Sequence, residues 1–87
     1  MAKYKIEIKK SAVKEIRKLP SRELKSILAK IDSLADSPRG PDTVKLSGEE
    51  KYRVRVGDYR ILYMIEDDVL IVYVVKVGHR KDIYKSR

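Results

Sequence analysis

The stretch KYRVRVGDYRILY, residues 51–63, decides the fold. Charged and apolar side chains alternate along it, which is typical of a strand that buries one face. Gly57 and Asp58 separate two such runs and suit a two-residue hairpin turn. We therefore predict two antiparallel strands, over Lys51–Val56 and Tyr59–Glu66.

A third strand is predicted at VLIVYVVKV, residues 69–77, directly after the hairpin. Apolar residues occupy both of its faces, as expected for a strand inside a covered sheet. The dipeptide Asp67-Asp68 fits a second two-residue connection, and Gly78 is expected to end the strand. These three strands would form an antiparallel meander.

An N-terminal strand and two helices are predicted ahead of the hairpin. In the strand, Tyr4, Ile6 and Ile8 alternate with charged residues. Ser11 and Ser21 are each suited to cap a helix, and a proline separates the two helices. Apolar positions then recur at helical spacing and predict the packed faces: Ala12, Val13, Ile16 and Leu19 in the first helix, and Leu24, Ile27, Leu28 and Ile31 in the second.

Together these elements predict an α+β fold in a single domain, residues 1–87. An N-terminal strand, an antiparallel helical hairpin and a three-stranded antiparallel meander would form one sheet with the helices on one face. The chain has no cysteine and one histidine, so we expect no disulfide, no metal site and no small-molecule cofactor. The charged N-terminus MAKYKIEIKK lacks an apolar signal segment, so we expect a cytoplasmic protein without a membrane partner.

The formal charge of +8 favours anionic partners without selecting one class of them. Alternation places Arg53 and Arg55 on the face opposite Tyr52, and burying unpaired guanidinium groups there would be costly, so they should point outward. Arg60 should return opposite Arg55, and Arg80 should emerge near the hairpin end of the sheet. One interpretation is a solvated face with scattered salt bridges. The other is an anion site, because like charges opposite each other destabilise a sheet and guanidinium suits phosphate.

Two residues near the C-terminus also have alternative interpretations. His79 follows a glycine and is either a loop residue or an acid–base group. Tyr84 either packs at the sheet edge or stacks on a nucleobase.

The run KLSGEEKYRVRVGDYRILYMIEDDVLIVYVVKVGHRKDIY resembles the RelE branch of the RelE/ParE toxin superfamily, and the resemblance extends over essentially the whole chain. It implies a type II toxin that enters the ribosomal A site, cleaves messenger RNA without a metal and is silenced by a RelB-like antitoxin. The implied reaction is attack of a ribose 2′-hydroxyl on the adjacent phosphate. The residues implied in catalysis are Arg53, Arg55, Arg60, Arg80 and Tyr84, with His79 as the weakest member. RNA phosphates would be bound by Lys51, Arg53, Arg55, Arg60 and Lys81.

The sequence departs from the RelE pattern where that pattern has lysines and this chain has Arg53 and Arg55. Arginine does not lose its proton in proteins, so neither residue can be the general base. His79 has the better intrinsic pKa and ranks first as the base. Tyr84 has the closer family match and ranks first as a site residue, either in proton transfer or stacked on a nucleobase. Two other functions stay open: a ParE-like inhibitor of DNA gyrase, and a basic RNA-binding module without catalysis.

Overall fold

The computed structural model describes residues 3–46 and 50–82. Five strands form one sheet in the order β1-β5-β4-β3-β2. The strand β1 runs parallel to β5, and all other neighbours are antiparallel. The predicted α+β fold is confirmed. Its elements are β1 (Lys5–Ile8), α1 (Lys10–Arg17), α2 (Ser21–Ser33), β2 (Thr43–Lys45), β3 (Lys51–Val56), β4 (Tyr59–Glu66) and β5 (Ile71–His79).

The β3–β4 hairpin has the predicted boundaries and the predicted two-residue turn. Gly57 has a φ of +59°, whereas Asp58 is not among the described residues with positive φ. A positive φ at the first turn position alone corresponds to a type II′ turn, which matches the twist of the flanking strands. The glycine is thus required by the backbone, and it sets the register of the hairpin.

The connection between β4 and β5 differs from the prediction. It spans four residues, Asp67 to Leu70, so the predicted two-residue turn and the predicted strand start at Val69 are wrong. Leu70 adopts a φ of 54°, and its carbonyl accepts the Lys5 N–H at 2.7 Å. The longer turn brings this carbonyl to β1. The strand also continues through Gly78 to His79, so Gly78 does not end it.

The short strand β2 was not expected from the sequence, where this region reads as a loop. Its three residues pair with β3, for example Val44 with Arg53. A strand of three residues is too short to show a periodic pattern, and only pairing with its neighbour defines it.

Both helices begin differently from the sequence-based expectation. The residues that precede them are Lys9 and Pro20, and neither helix has a side-chain cap. The predicted capping roles of Ser11 and Ser21 are therefore wrong, because both serines already lie within the helices. The prediction for Leu28 is wrong as well: it is 44% exposed, because Ile27 and Ile31 direct a neighbouring face of α2 toward the core.

The hydrophobic core lies between the two helices and one face of the sheet. Ala12 and Ile16 of α1 and Ile27 and Ile31 of α2 cover this face. Below them lie strand residues that alternate along each strand: Tyr52, Val54, Ile61, Tyr63, Ile65, Val72, Val74 and Val77. Within residues 3–46 and 50–82, no helix covers the opposite face of the sheet.

A β-bulge in β5 interrupts this alternation. Tyr63 pairs with Val74, whereas Leu62 pairs with Lys76, so Val75 is the extra residue. One extra residue exchanges the two faces of the strand beyond it. Val77 and His79 therefore lie on the helix side, and Lys76 lies on the opposite side.

Candidate functional site

The face of the sheet opposite α1 and α2, here called the outer face, concentrates the cationic side chains. Backbone pairing arranges its residues in three rows across β3, β4 and β5. These rows are Arg55–Arg60–Gly78, Arg53–Leu62–Lys76 and Lys51–Met64–Tyr73. Three predicted site residues on β3 and one on β4 thus share one surface.

Arg55 and Arg60 are direct cross-strand partners, as predicted. Side chains in such a pair start about 5 Å apart at Cβ, so two guanidinium groups repel each other there. Arg55 is exposed and Arg60 is half-buried, with its Nη1 3.4 Å from the Tyr59 carbonyl oxygen. Gly78 continues the row on β5 and adds no side chain of its own to it. The pair is well arranged to bind an anion.

The second row packs an apolar side chain between two cationic ones. Leu62 is only 8% exposed although it lies on the outer face. Its row partners Arg53 and Lys76 have long aliphatic stems, which can cover an apolar neighbour while their charges stay in water. The cationic groups of this row therefore flank a packed apolar side chain.

Arg80 lies at the hairpin end of the sheet, as predicted. Its N–H donates to the Asp58 carbonyl oxygen at 2.7 Å, and its Nε is 3.8 Å from Asp58 Oδ1. Both side chains are more than half exposed (56% and 70%), so this ion pair is weak and can open to another anion. The backbone bond places Arg80 just beyond the row of Arg55 and Arg60.

His79 lies apart from the arginines, on the helix side of the sheet. Its ring contacts the Tyr59 ring edge-on, with centroids 5.5 Å apart. Its Nδ1 accepts the Lys81 N–H at 3.1 Å, so a neutral imidazole carries its proton on Nε2. The ring borders a cleft with Arg22 and Ser26 of α2. The structure does not bring His79 to the outer face.

The remaining predicted site residues lie at the end of the described chain. Lys81 is exposed and follows Arg80 in a turn. Tyr84 lies outside the described residues, so its predicted role stays a prediction.

Sequence reasoning missed a carboxylate that anchors the bulge of β5. Glu15 of α1 accepts the Val77 N–H at 2.8 Å through Oε1 and lies 3.3 Å from Lys76 Nζ through Oε2. More than 60 residues separate these partners. A contact between residues so far apart in the sequence produces no local sequence pattern.

It also missed a polar cluster around Asp67 at the far end of the sheet. Arg39 donates to both carboxylate oxygens, at 3.1 and 2.8 Å, and the Tyr4 hydroxyl donates to Oδ1 at 2.7 Å. The hydrogen bonds from Arg39 and Tyr4 lower the pKa of Asp67 to about 2. Arg39 also donates to the Tyr52 hydroxyl at 3.2 Å. The cluster joins β1, the α2–β2 loop and the β4–β5 turn.

Tyr63 lies below this cluster and is fully buried. Its hydroxyl donates to the Pro38 carbonyl oxygen at 2.6 Å, and its ring stacks on Tyr52 with centroids 5.8 Å apart. Burial raises the pKa of Tyr63 to about 12. These tyrosines therefore serve packing, and the cationic outer face is the candidate functional site.

Within the described part of the chain, no helix is long and apolar enough to cross a membrane.

Comparisons with known proteins agree with the resemblance noted from the sequence. The family model described as ParE toxin of type II toxin-antitoxin system, parDE, matches residues 6–84. The mRNA interferase toxin RelE of Escherichia coli K12 is 32% identical over 81 residues, which cover 90% of this chain and 84% of that protein.

Two solved toxin–antitoxin complexes contain a similar chain. The RelBE2 complex of Mycobacterium tuberculosis matches with a TM-score of 0.83 at 29% identity, covering 94% of this chain and 97% of that one. The archaeal RelE-RelB complex of Pyrococcus horikoshii matches with a TM-score of 0.81 at 30% identity, covering 90% and 96%. With the family match and the shared fold, this chain belongs to the ParE toxin family and is a RelE-type toxin of a type II toxin–antitoxin system.

Proposed function

We propose that this toxin is a metal-independent endoribonuclease that cleaves messenger RNA in the ribosomal A site and thereby stops translation. The observation that carries the proposal is the direct pairing of Arg55 with Arg60 on the outer face. A like-charged pair opposes folding, so its presence is best explained by an anion that binds there. The similarity to an mRNA interferase of Escherichia coli supports an RNA phosphate as that anion.

The arginines suit one part of the proposed reaction. The 2′-oxygen of a ribose attacks the adjacent phosphorus and loses its proton, while the bond from phosphorus to the 5′-oxygen breaks. The leaving 5′-oxygen takes up a proton, so the products are a cyclic phosphate and a 5′-hydroxyl. Extra negative charge develops on the phosphate oxygens, where Arg53, Arg55 and Arg60 would stabilise it. Arg80 would hold the phosphate or assist the leaving oxygen.

Proton transfer needs groups other than these arginines, which stay charged. His79 faces α2, so it would reach the outer face only after a rearrangement of β5. We therefore assign the first role in proton transfer to Tyr84, whose position matches the RelE pattern. Orientation of the RNA by the ribosome would contribute several kcal/mol and make a weak base sufficient.

A cognate RelB-like antitoxin is the proposed partner, and the cytoplasm, where ribosomes act, is the proposed location. Both solved complexes described above pair a RelE chain with an antitoxin. An acidic antitoxin segment would match a chain of charge +8.

The test is to add the toxin to a translating extract and map the ends of the message. Wild-type toxin should produce cuts in phase with codons, and Arg80→Ala should abolish them. Intact message together with broken DNA would contradict the proposal in favour of the alternative function, inhibition of DNA gyrase. Intact message with tight RNA retention would instead indicate a binding module without catalysis.

A further inference from the structure

Lys76 lies on the outer face because of the bulge at Val75. Without the extra residue, the alternation set by Val72 and Val74 would place position 76 in the core under the helices. A charge buried there would be strongly destabilising. Bulges next to functional sites commonly redirect a side chain in this way. The bulge puts Lys76 in the same row as Arg53, two strands away.

Glu15 anchors this local geometry. Its Oε1 accepts the Val77 N–H at 2.8 Å, directly after Lys76. Its Oε2 lies 3.3 Å from Lys76 Nζ, and the two side chains are 32% and 24% exposed. The ammonium group is thus held at the surface, within reach of a ligand in solvent.

A groove of about 360 Å³ opens beside this pair, between α1 and the outer face. Among the described residues that line it are three lysines, Lys9, Lys51 and Lys76, and one carboxylate, that of Glu15. The hydroxyl-bearing Ser11 lies on the same wall. The helix α1 begins at this wall with no acidic residue in its first turn, so its positive end adds to the field.

We propose that this groove binds a second RNA phosphate, adjacent along the strand to the one held by Arg55 and Arg60. Lys76 is its principal contact. This proposal rests on the proposed function, which supplies the RNA, and it extends the site beyond the residues that match the RelE pattern. The groove continues the cationic rows from the hairpin end toward α1, so one strand of RNA can follow them across the sheet.

The competing explanation is purely structural, with the Lys76–Glu15 pair serving only to dock α1 on β5. The two explanations predict different effects on RNA binding when Lys76 or Glu15 is replaced. A structural pair loses the same interaction whichever partner is replaced. In a phosphate site, Lys76→Met removes an attraction for RNA, whereas Glu15→Gln removes a repulsion and retains an oxygen to accept the Val77 N–H.

The experiment measures binding of single-stranded RNA carrying 2′-O-methyl groups, which block cleavage, over a range of salt concentrations. Lys76→Met should lower the salt slope by about 0.7 and weaken binding roughly fivefold at 0.1 M salt, as for one lost phosphate contact. Lys76→Arg should restore binding, and Glu15→Gln should strengthen it. The control is Lys25→Met, which removes the same charge from an exposed position on α2 and should change binding much less.

Two results would overturn the proposal for the groove. One is that Lys76→Met and Lys25→Met bind RNA with equal affinity, while Arg55→Gln weakens binding. This result would leave the proposed function intact. The other is a loss of RNA affinity in Lys76→Met and Glu15→Gln alike, with matching losses in thermal stability. Wild-type binding that responds neither to salt nor to Arg55→Gln would overturn the proposed function and the groove together.

Discussion

Arg55 and Arg60 face each other across β3 and β4, one residue from each end of the Gly57-Asp58 turn. Two like charges in this position oppose the pairing of the strands that carry them. The surface around them continues the positive charge with Arg53 in the next row. The hairpin therefore concentrates positive charge next to its turn.

Relief of this repulsion should stabilise the protein. Arg55→Gln is expected to raise the free energy of unfolding by a few tenths of a kcal/mol and up to about 1 kcal/mol, because an uncharged side chain replaces one of two facing charges. Urea denaturation at low salt measures this change, and added salt should shrink it. A less stable variant at low salt would show that the two side chains do not repel each other.

Replacement of His79 tests which face of the sheet performs the chemistry. His79→Gln should keep message cleavage within about threefold of wild type, because the ring lies beside α2 and Tyr59. Loss of a general base typically lowers the rate by about 10²–10⁴-fold. A rate loss of that size, without a loss of stability, would show that His79 acts as the general base and that β5 rearranges to bring it to the outer face.

The Asp67 cluster should make stability depend on acid pH. The pKa of Asp67 is about 2 in the folded chain, below its ordinary value, because Arg39 and Tyr4 donate to the carboxylate. A lowered pKa stabilises the fold above the ordinary value, and this contribution is lost as the pH falls from about 4 toward 2.

Asp67→Asn should therefore be less stable than wild type at neutral pH and lose less stability on acidification. Thermal unfolding at a series of pH values measures both effects. Asp68→Asn is the matched control, with the same change of charge at the adjacent exposed residue. Equal behaviour of the two variants would contradict a specific role for Asp67.

Gly57 offers a test of the turn itself. A Cβ at this position meets no atom within 4 Å, so only the backbone opposes substitution. Its φ of +59° costs an ordinary L-residue about 1–2 kcal/mol. Gly57→Ala should lose about that much stability, and Gly57→Asn should lose less because asparagine tolerates this conformation better. Equal losses of unfolding free energy for Gly57→Ala and Gly57→Asn, measured by denaturation, would indicate a steric clash elsewhere.

Residues 51–66 show how much of the fold could be predicted from the sequence. Period-two alternation and one glycine were sufficient for two strands, their turn and the pairing of Arg55 with Arg60. The outward position of the arginines followed from the cost of burying charge. Local rules sufficed here because the pattern and the turn chemistry agree.

The rest depends on contacts that local patterns do not encode. VLIVYVVKV is apolar on both faces, so nothing in it marks the extra residue at Val75 that directs His79 toward α2. The bulge is anchored by Glu15, far away in the chain. Likewise, Asp67 is bound by Arg39 from a loop 28 residues earlier. Tertiary partners of this kind became visible only in three dimensions.

Cleavage by a double variant at the paired arginines tests the central claim most directly. The measurement is the yield of new message ends in a translating extract for Arg55→Gln/Arg60→Gln. Its control is Lys14→Gln/Lys25→Gln, which removes the same charge from exposed helix positions. We predict that the arginine variant loses at least 10²-fold in cleavage, as expected when transition-state charge is left unstabilised, while the control stays near wild type. Equal cleavage by the two folded variants would contradict the claim that the outer face holds the reacting phosphate.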